Sequence, residues 1–332
     1  MRTLKNKTKI RILSFVLLSI ILVEVLPTSI GVSTSYRLTL AKGTDEFIVK
    51  HYDDVDWKAT VDPSLTPSAW FEGEANITNA KSKTTLKGWA SDTWGMYDVL
   101  ISIFMPEYFS FEEIVALLPM LDETNINASH PSHYNLWFAE RAVWNYTTND
   151  YEEDPSNKDI LYLYNEFKSL RLQAGIIVLQ NPLDFKTMLD DYNDLALELN
   201  ANPLINASVY FPIVSADDFL WLLALHGLAI ADPQTEYLET LVSELGCENA
   251  TVSGSTLIIE RYGLTNYSVE ISYGMRGMMS SFTVKDLGGN IIYQITSSNS
   301  DWLFYLILII SAAASVVLIV FIIIRNKKLK RR

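Results

Sequence analysis

The chain has 332 residues, with 39 acidic against 26 basic side chains, one cysteine and a formal net charge of −13. Such acidity repels a polyphosphate backbone and excludes a nucleic-acid role. A lone thiol, Cys247, excludes an intrachain disulfide framework, so the fold must rest on packing, which a chain of this length can supply.

The N-terminus opens with a basic stretch, Arg2, Lys5, Lys7, Lys9 and Arg11. An apolar run over 12–26 follows, broken only by Ser14, Ser19 and Glu24. Pro27 and a small-residue stretch over 29–35 complete the pattern of a signal peptide, residues 1–33, with cleavage after Gly31, Ser33 or Ser35. The alternative is an uncleaved signal anchor, against which Glu24 and the short apolar run both weigh.

Residues 35–105 read mainly as strands. Tyr36, Leu38 and Leu40 alternate with Ser35, Arg37 and Thr39, the period of a half-buried strand. Residues 42–45 read as a turn and 46–52 as a second strand. Pro63, Ser64 and Pro67 mark a loop. Residues 76–89 and 94–105 supply further strands, with Ser91 and Asp92 as turn chemistry between them.

Residues 110–246 read mostly as helices. Ser110 and Glu113 form a capping box, with Phe109 and Ile114 placed as a hydrophobic staple. Pro119 predicts a stop near Leu118. Residues 122–157 read as an irregular or extended excursion. Ile160, Leu163, Tyr164, Phe167 and Leu170 recur at helical spacing after Ser156, with Gly175 as the stop. Asn181-Pro182 opens the clearest amphipathic helix, carrying Phe185, Met188, Leu189, Tyr192, Leu195, Ala196 and Leu199 on one face. Alternation over 205–213 predicts an edge strand. Ser215 caps an apolar helix over 219–226, followed by Gly227. Asp232-Pro233 opens another helix, with Tyr237, Leu238, Leu241, Val242 and Leu245 facing inward and Gly246 after its end.

Residues 251–297 read as a β-meander, with strands at 256–262, 267–273, 278–285 and 290–296. Strands at both ends around a helical centre predict an α+β domain with a mainly antiparallel sheet, spanning 34–300. After a short linker, the 22 residues from Leu303 to Ile324 contain no charge, Pro or Gly. A helix needs roughly 20 such residues to cross the hydrocarbon core. Trp302 and Tyr305 sit at one end of it. The tail 325–332 carries six cations and no anion, which orients the C-terminus to the cytoplasm. Without the six tail cations and the net four positive charges of the leader, the exported part stands at about −23, a surface that attracts cations.

The motif search yields no catalytic signature: no nucleophile elbow, no Cys–His pairing and no phosphate loop. The histidines are His51, His130, His133 and His226; Pro131 argues against a helical zinc site at His130 and His133. Asp53, Asp54 and Asp56 lack the glycine turn and distal glutamate of a calcium loop. Asp150, Glu152, Asp154 and Ser156 have alternate spacing, but Pro155 and Leu161 stand where Gly and Glu are needed. No cofactor is expected, with a loose calcium loop as the one alternative. Trp57, Trp70, Phe71, Trp89 and Trp94 form core or, if exposed, a sugar-stacking face. The helices of 160–245 against a sheet form a solid core or enclose an apolar ligand cavity. Six N-x-S/T sequons, at Asn76, Asn127, Asn145, Asn206, Asn249 and Asn266, are the glycosylation candidates.

Leader, sequons, scarce cysteine, one C-terminal span and a basic tail together resemble uncharacterised archaeal single-pass cell-surface proteins, in architecture alone. The resemblance implies a domain held outside the cell. The function expected is a membrane-anchored, glycosylated surface protein whose domain binds an extracellular protein, glycan or small molecule. A lipid or small-molecule carrier and an anchored hydrolase are the alternatives.

Overall fold

The computed structural model describes residues 35–40, 43–71, 75–145, 150–151, 175–225 and 227–297. Its frame is an α+β arrangement around one mainly antiparallel sheet. Five strands form the C-terminal meander: β6 (Ala250–Ser253), β7 (Thr256–Tyr262), β8 (Asn266–Tyr273), β9 (Met279–Asp286) and β10 (Ile291–Ser297). The N-terminal strands continue it. β1 (Gly43–Tyr52) pairs with β10, β2 (Lys81–Gly95) with β1, and β3 (His133–Asn145) with β2. The order is β4-β3-β2-β1-β10-β9-β8-β7-β6, where β4 is Asp150–Tyr151; β5 (Gly175–Leu179) also pairs with β3. The two ends of the chain's β regions thus share one sheet.

The meander forms because its strands alternate. In β8, Tyr267, Val269, Ile271 and Tyr273 are buried and their neighbours are not. They share a core with Leu257, Ile259, Phe282, Val284 and Ile295 and with the helices.

The helices, in chain order, are α1 (Asp54–Thr60), α2 (Met96–Val99), α3 (Met105–Tyr108), α4 (Phe111–Thr124), α5 (Ile126–Ser129), α6 (Leu183–Ala201), α7 (Pro203–Asn206), α8 (Ala216–Leu225) and α9 (Gln234–Leu245). α6, α8 and α9 match their sequence patterns. All seven inward residues named for α6 are buried, and so are Tyr237, Leu238, Leu241 and Leu245 of α9. Ser215 caps α8 by accepting the Asp218 N–H at 3.1 Å, and its hydroxyl donates back to the Asp218 carboxylate.

Several expectations are overturned. Residues 35–40 form no strand; Arg37 makes a single bridge to Asp232. The turn expected at 42–45 is strand from Gly43 on, because pairing with β2 extends β1 to there. Ser91 and Asp92 do not turn. They are strand residues opposite Trp137 and Leu136, where exposed polar side chains are tolerated. The strand expected at 94–105 ends at Gly95 and becomes α2, a π-helical stretch Leu100–Phe104, and α3. The stretch Leu100–Phe104 is buried on every side, and without an exposed face an apolar run has no period to read. The Asp98 carboxylate accepts the Gly95 N–H at 3.0 Å and starts the helix.

Pro119 does not end α4, which continues to Thr124. Pro119 and Val115, whose carbonyl loses its partner, both lie on the exposed side, where water substitutes for the missing N–H. Asn125, in the left-handed region at φ 53°, ends the helix instead. Where it is described, the irregular or extended excursion expected at 122–157 is the end of α4, then α5, β3 and β4. Gly175 opens β5; the helix expected over 156–174 lies outside the described residues, as do the leader and 303–324.

The strand expected at 205–213 is α7 followed by an extended strap. Its alternation is satisfied by side chains. Asn200 donates to the Phe211 carbonyl at 2.8 Å and accepts its N–H at 2.9 Å. Asn193, two helical turns earlier, does the same for Val214 at 3.0 and 2.9 Å. The Tyr192 hydroxyl donates to the Pro212 carbonyl at 2.9 Å. Two carboxamides on α6 therefore do for the strap what a neighbouring strand would.

Candidate functional site

Helix α6 also lines a groove among the described residues. At ~100° per residue, Asn193 and Asn200 lie on one side of its buried stripe, and Asp191 and Glu198 on the other. The Tyr134 hydroxyl of β3 donates to the Asp191 carboxylate, and burial holds that phenol well above its ordinary value. His130, just after α5, is buried, with Nε2 3.2 Å from Glu198 Oε2. These two contacts fix α6 against the α5–β3 corner.

Between α4, α5, α6 and α7 the corner leaves an open-sided groove of 390 Å³. Met120, Ile126, Leu195, Leu199, Leu204 and Ile205 give it an apolar floor. Leu204 remains 73% exposed. The polar lining is largely satisfied internally. Thr124 donates to the Leu121 carbonyl at 2.6 Å and Ser129 to the Ile126 carbonyl at 3.1 Å. The Asn202 side-chain carbonyl accepts the Leu204 N–H at 3.0 Å, capping α7. Two carboxylates are left to face a ligand, Glu123 from α4 and Glu198 from α6. Among the described residues, no lysine or arginine lines the groove. Sequence reading missed both glutamates, because each sits on the solvent side of its helix and looks like ordinary surface charge.

The residues singled out from the sequence do not converge on a catalytic centre. Buried His130 belongs to the helical corner, not to a solvated loop, whereas His133 opens β3 as an exposed residue. His51 is exposed on β1, and His226 lies outside the described residues. Asp53 is the N-cap of α1, accepting the Val55 and Asp56 N–H groups at 2.9 and 3.0 Å. Asp150 is in β4; Glu152, Asp154 and Ser156 lie outside the described residues. Among the described residues, no group of three potential metal ligands is assembled.

The early aromatics form core. Trp57 is fully buried and donates to the Leu65 carbonyl at 3.0 Å. Trp70 meets Trp221 edge-on with centroids 5.2 Å apart, and Phe71 stacks on Tyr293 at 5.9 Å. Trp94 is buried, and Trp89 packs against Val178 and Ala229. Cys247 is half-buried, and burial beside Asp217 pushes its thiol up to about 12.

The sequons fall into distinct environments. Asn76 is locked, donating to the Ser68 hydroxyl and accepting the Ser68 N–H, both at 2.9 Å. Asn249 donates to Asp217 at 3.1 Å. Asn127 uses its carbonyl to accept the Tyr97 N–H at 2.9 Å. Asn206 and Asn266 are exposed and have no side-chain hydrogen bond among the described residues. Asn145 ends β3.

No family model, curated protein or solved structure matches the chain. Among the described residues, no helix is long and apolar enough to cross a membrane.

Proposed function

We propose that the chain is a single-pass, membrane-anchored surface protein whose domain, 34–300, stands outside the cell and binds a partner without catalysis. The observation that carries this is the uncharged run from Leu303 to Ile324, followed by six cations in the tail 325–332. The leader over 1–33 supports the same orientation. Alkaline carbonate extraction tests the anchor: the chain stays with the membrane pellet, and release into the supernatant contradicts the reading.

The sequons extend the proposal to a glycoprotein. Asn206 and Asn266 offer free carboxamides, whereas a glycan on Asn76 or Asn249 replaces a hydrogen bond of the folded domain. Glycopeptide mapping is expected to find Asn206 and Asn266 occupied ahead of Asn76 and Asn249. The reverse order sinks this ranking. A small-molecule receptor is the second reading, and the groove between α4 and α7 favours it.

A further inference from the structure

We infer that the groove is a binding site for a small organic cation with an apolar body, such as an aryl- or alkylammonium. The apolar surface still open to a ligand is that of Leu204, largely exposed, and Met120, half-buried, above a floor closed by the buried Ile126, Leu195, Leu199 and Ile205. The volume, 390 Å³, falls within the range of about 300–1,000 Å³ typical of small-ligand sites.

The polar groups set the sign of the charge. Thr124, Ser129 and the Asn202 carbonyl are engaged within the protein, so the charges that meet a ligand are those of Glu123 and Glu198, with the Asn202 amide N–H as a neutral donor beside them. Glu198 has His130 on one oxygen. Among the described residues, Glu123 has no ion-pair partner and no basic side chain lines the groove. A neutral ligand of the same shape can offer these carboxylates a neutral hydrogen bond at most, the weaker kind. An anion would be repelled. An ammonium group in the groove meets two carboxylates and, among the described lining residues, no positive charge. The groove therefore selects by rejection as well as by attraction. Leu204 and Ile205 of its wall lie on the same short helix as Asn206, so a glycan there would stand beside the opening and hinder a macromolecule more than a small ligand.

This names the ligand class for the binding role proposed above and is independent of the anchor. The test uses the full chain in lipid nanodiscs, with empty nanodiscs as reference, titrated calorimetrically with phenethylammonium and with 2-phenylethanol. The cation is expected to saturate at one site at least tenfold more tightly than the alcohol. E123Q/E198Q is expected to lose that preference, while E244Q, on the exposed side of α9, keeps it. Both glutamates are exposed and a carboxamide at 198 still offers His130 an acceptor oxygen, so the double variant should keep the parent's unfolding temperature. Equal binding of the two probes, no saturable binding of the cation, or a preference surviving in E123Q/E198Q overturns the inference. A chain that binds the cation but is released by carbonate leaves the groove standing and removes only the anchor.

Discussion

Cys247 shows how far an environment can move a single group. Burial and the Asp217 carboxylate raise its thiol to about 12, so at pH 8 the thiolate that reacts is scarce. Iodoacetamide should label the folded protein on the order of 10²–10³ times more slowly than the denatured chain; comparable rates would contradict this environment. Carboxylates move the other way. Asp54 is held low by Lys58, Asp62 by the Ser64 hydroxyl, Glu113 by the Ser110 N–H and Asp286 by the Asn290 side chain. Their folded values lie below their unfolded ones. The stability they confer is therefore complete above about pH 4–5 and lost as pH falls through the folded values. Asp184, raised by burial, acts in the opposite sense and gains as pH falls. With four groups against one, the unfolding temperature should be level near pH 6 and fall below about pH 4.5. A rise on acidification would show that Asp184 and others like it dominate.

At the scale of elements, the strap after α7 gives the sharpest test. Asn193 and Asn200 each satisfy both backbone groups of one strap residue, Val214 and Phe211. Removing either amide leaves a part-buried N–H and C=O unpaired, a loss of about 2 kcal/mol. N200A and N193A should each lose roughly that much in denaturant unfolding, and N200D as much as N200A, because a carboxylate oxygen would face the Phe211 carbonyl. A loss under about 0.5 kcal/mol would show that the strap is held by its apolar residues alone. The same elements show what the sequence can reveal. β7, β8 and α6 were legible because each buries one face and leaves the other wet, so a period survives. Residues 96–108 bury all sides of the π-helical stretch, so length and flanking residues favoured strand wrongly. The strap alternates like a strand, yet its hydrogen bonds run to side chains of a helix, which no local pattern announces. The groove was illegible for a related reason: Glu123 and Glu198 gain meaning only when α4 and α6 are brought together.

For the whole molecule, the sheet relates the described domain to the proposed anchor. β10 runs from Ile291 to Ser297, five residues before Trp302. With 303–324 in the bilayer, the Ser297 end of the sheet is the membrane-proximal one. The β9–β10 and β7–β8 turns, with Leu287, Leu264 and Tyr262 exposed, point away from it. These distal turns should be the first positions reached by reagents added to intact cells. The proposal that the domain stands outside while the basic tail stays inside is tested most directly by protease treatment of intact cells expressing the chain with a C-terminal epitope. The account predicts that the domain is digested and a short fragment, span plus tail, keeps its epitope until the cells are permeabilised. An intact domain with the epitope removed from unpermeabilised cells would contradict it.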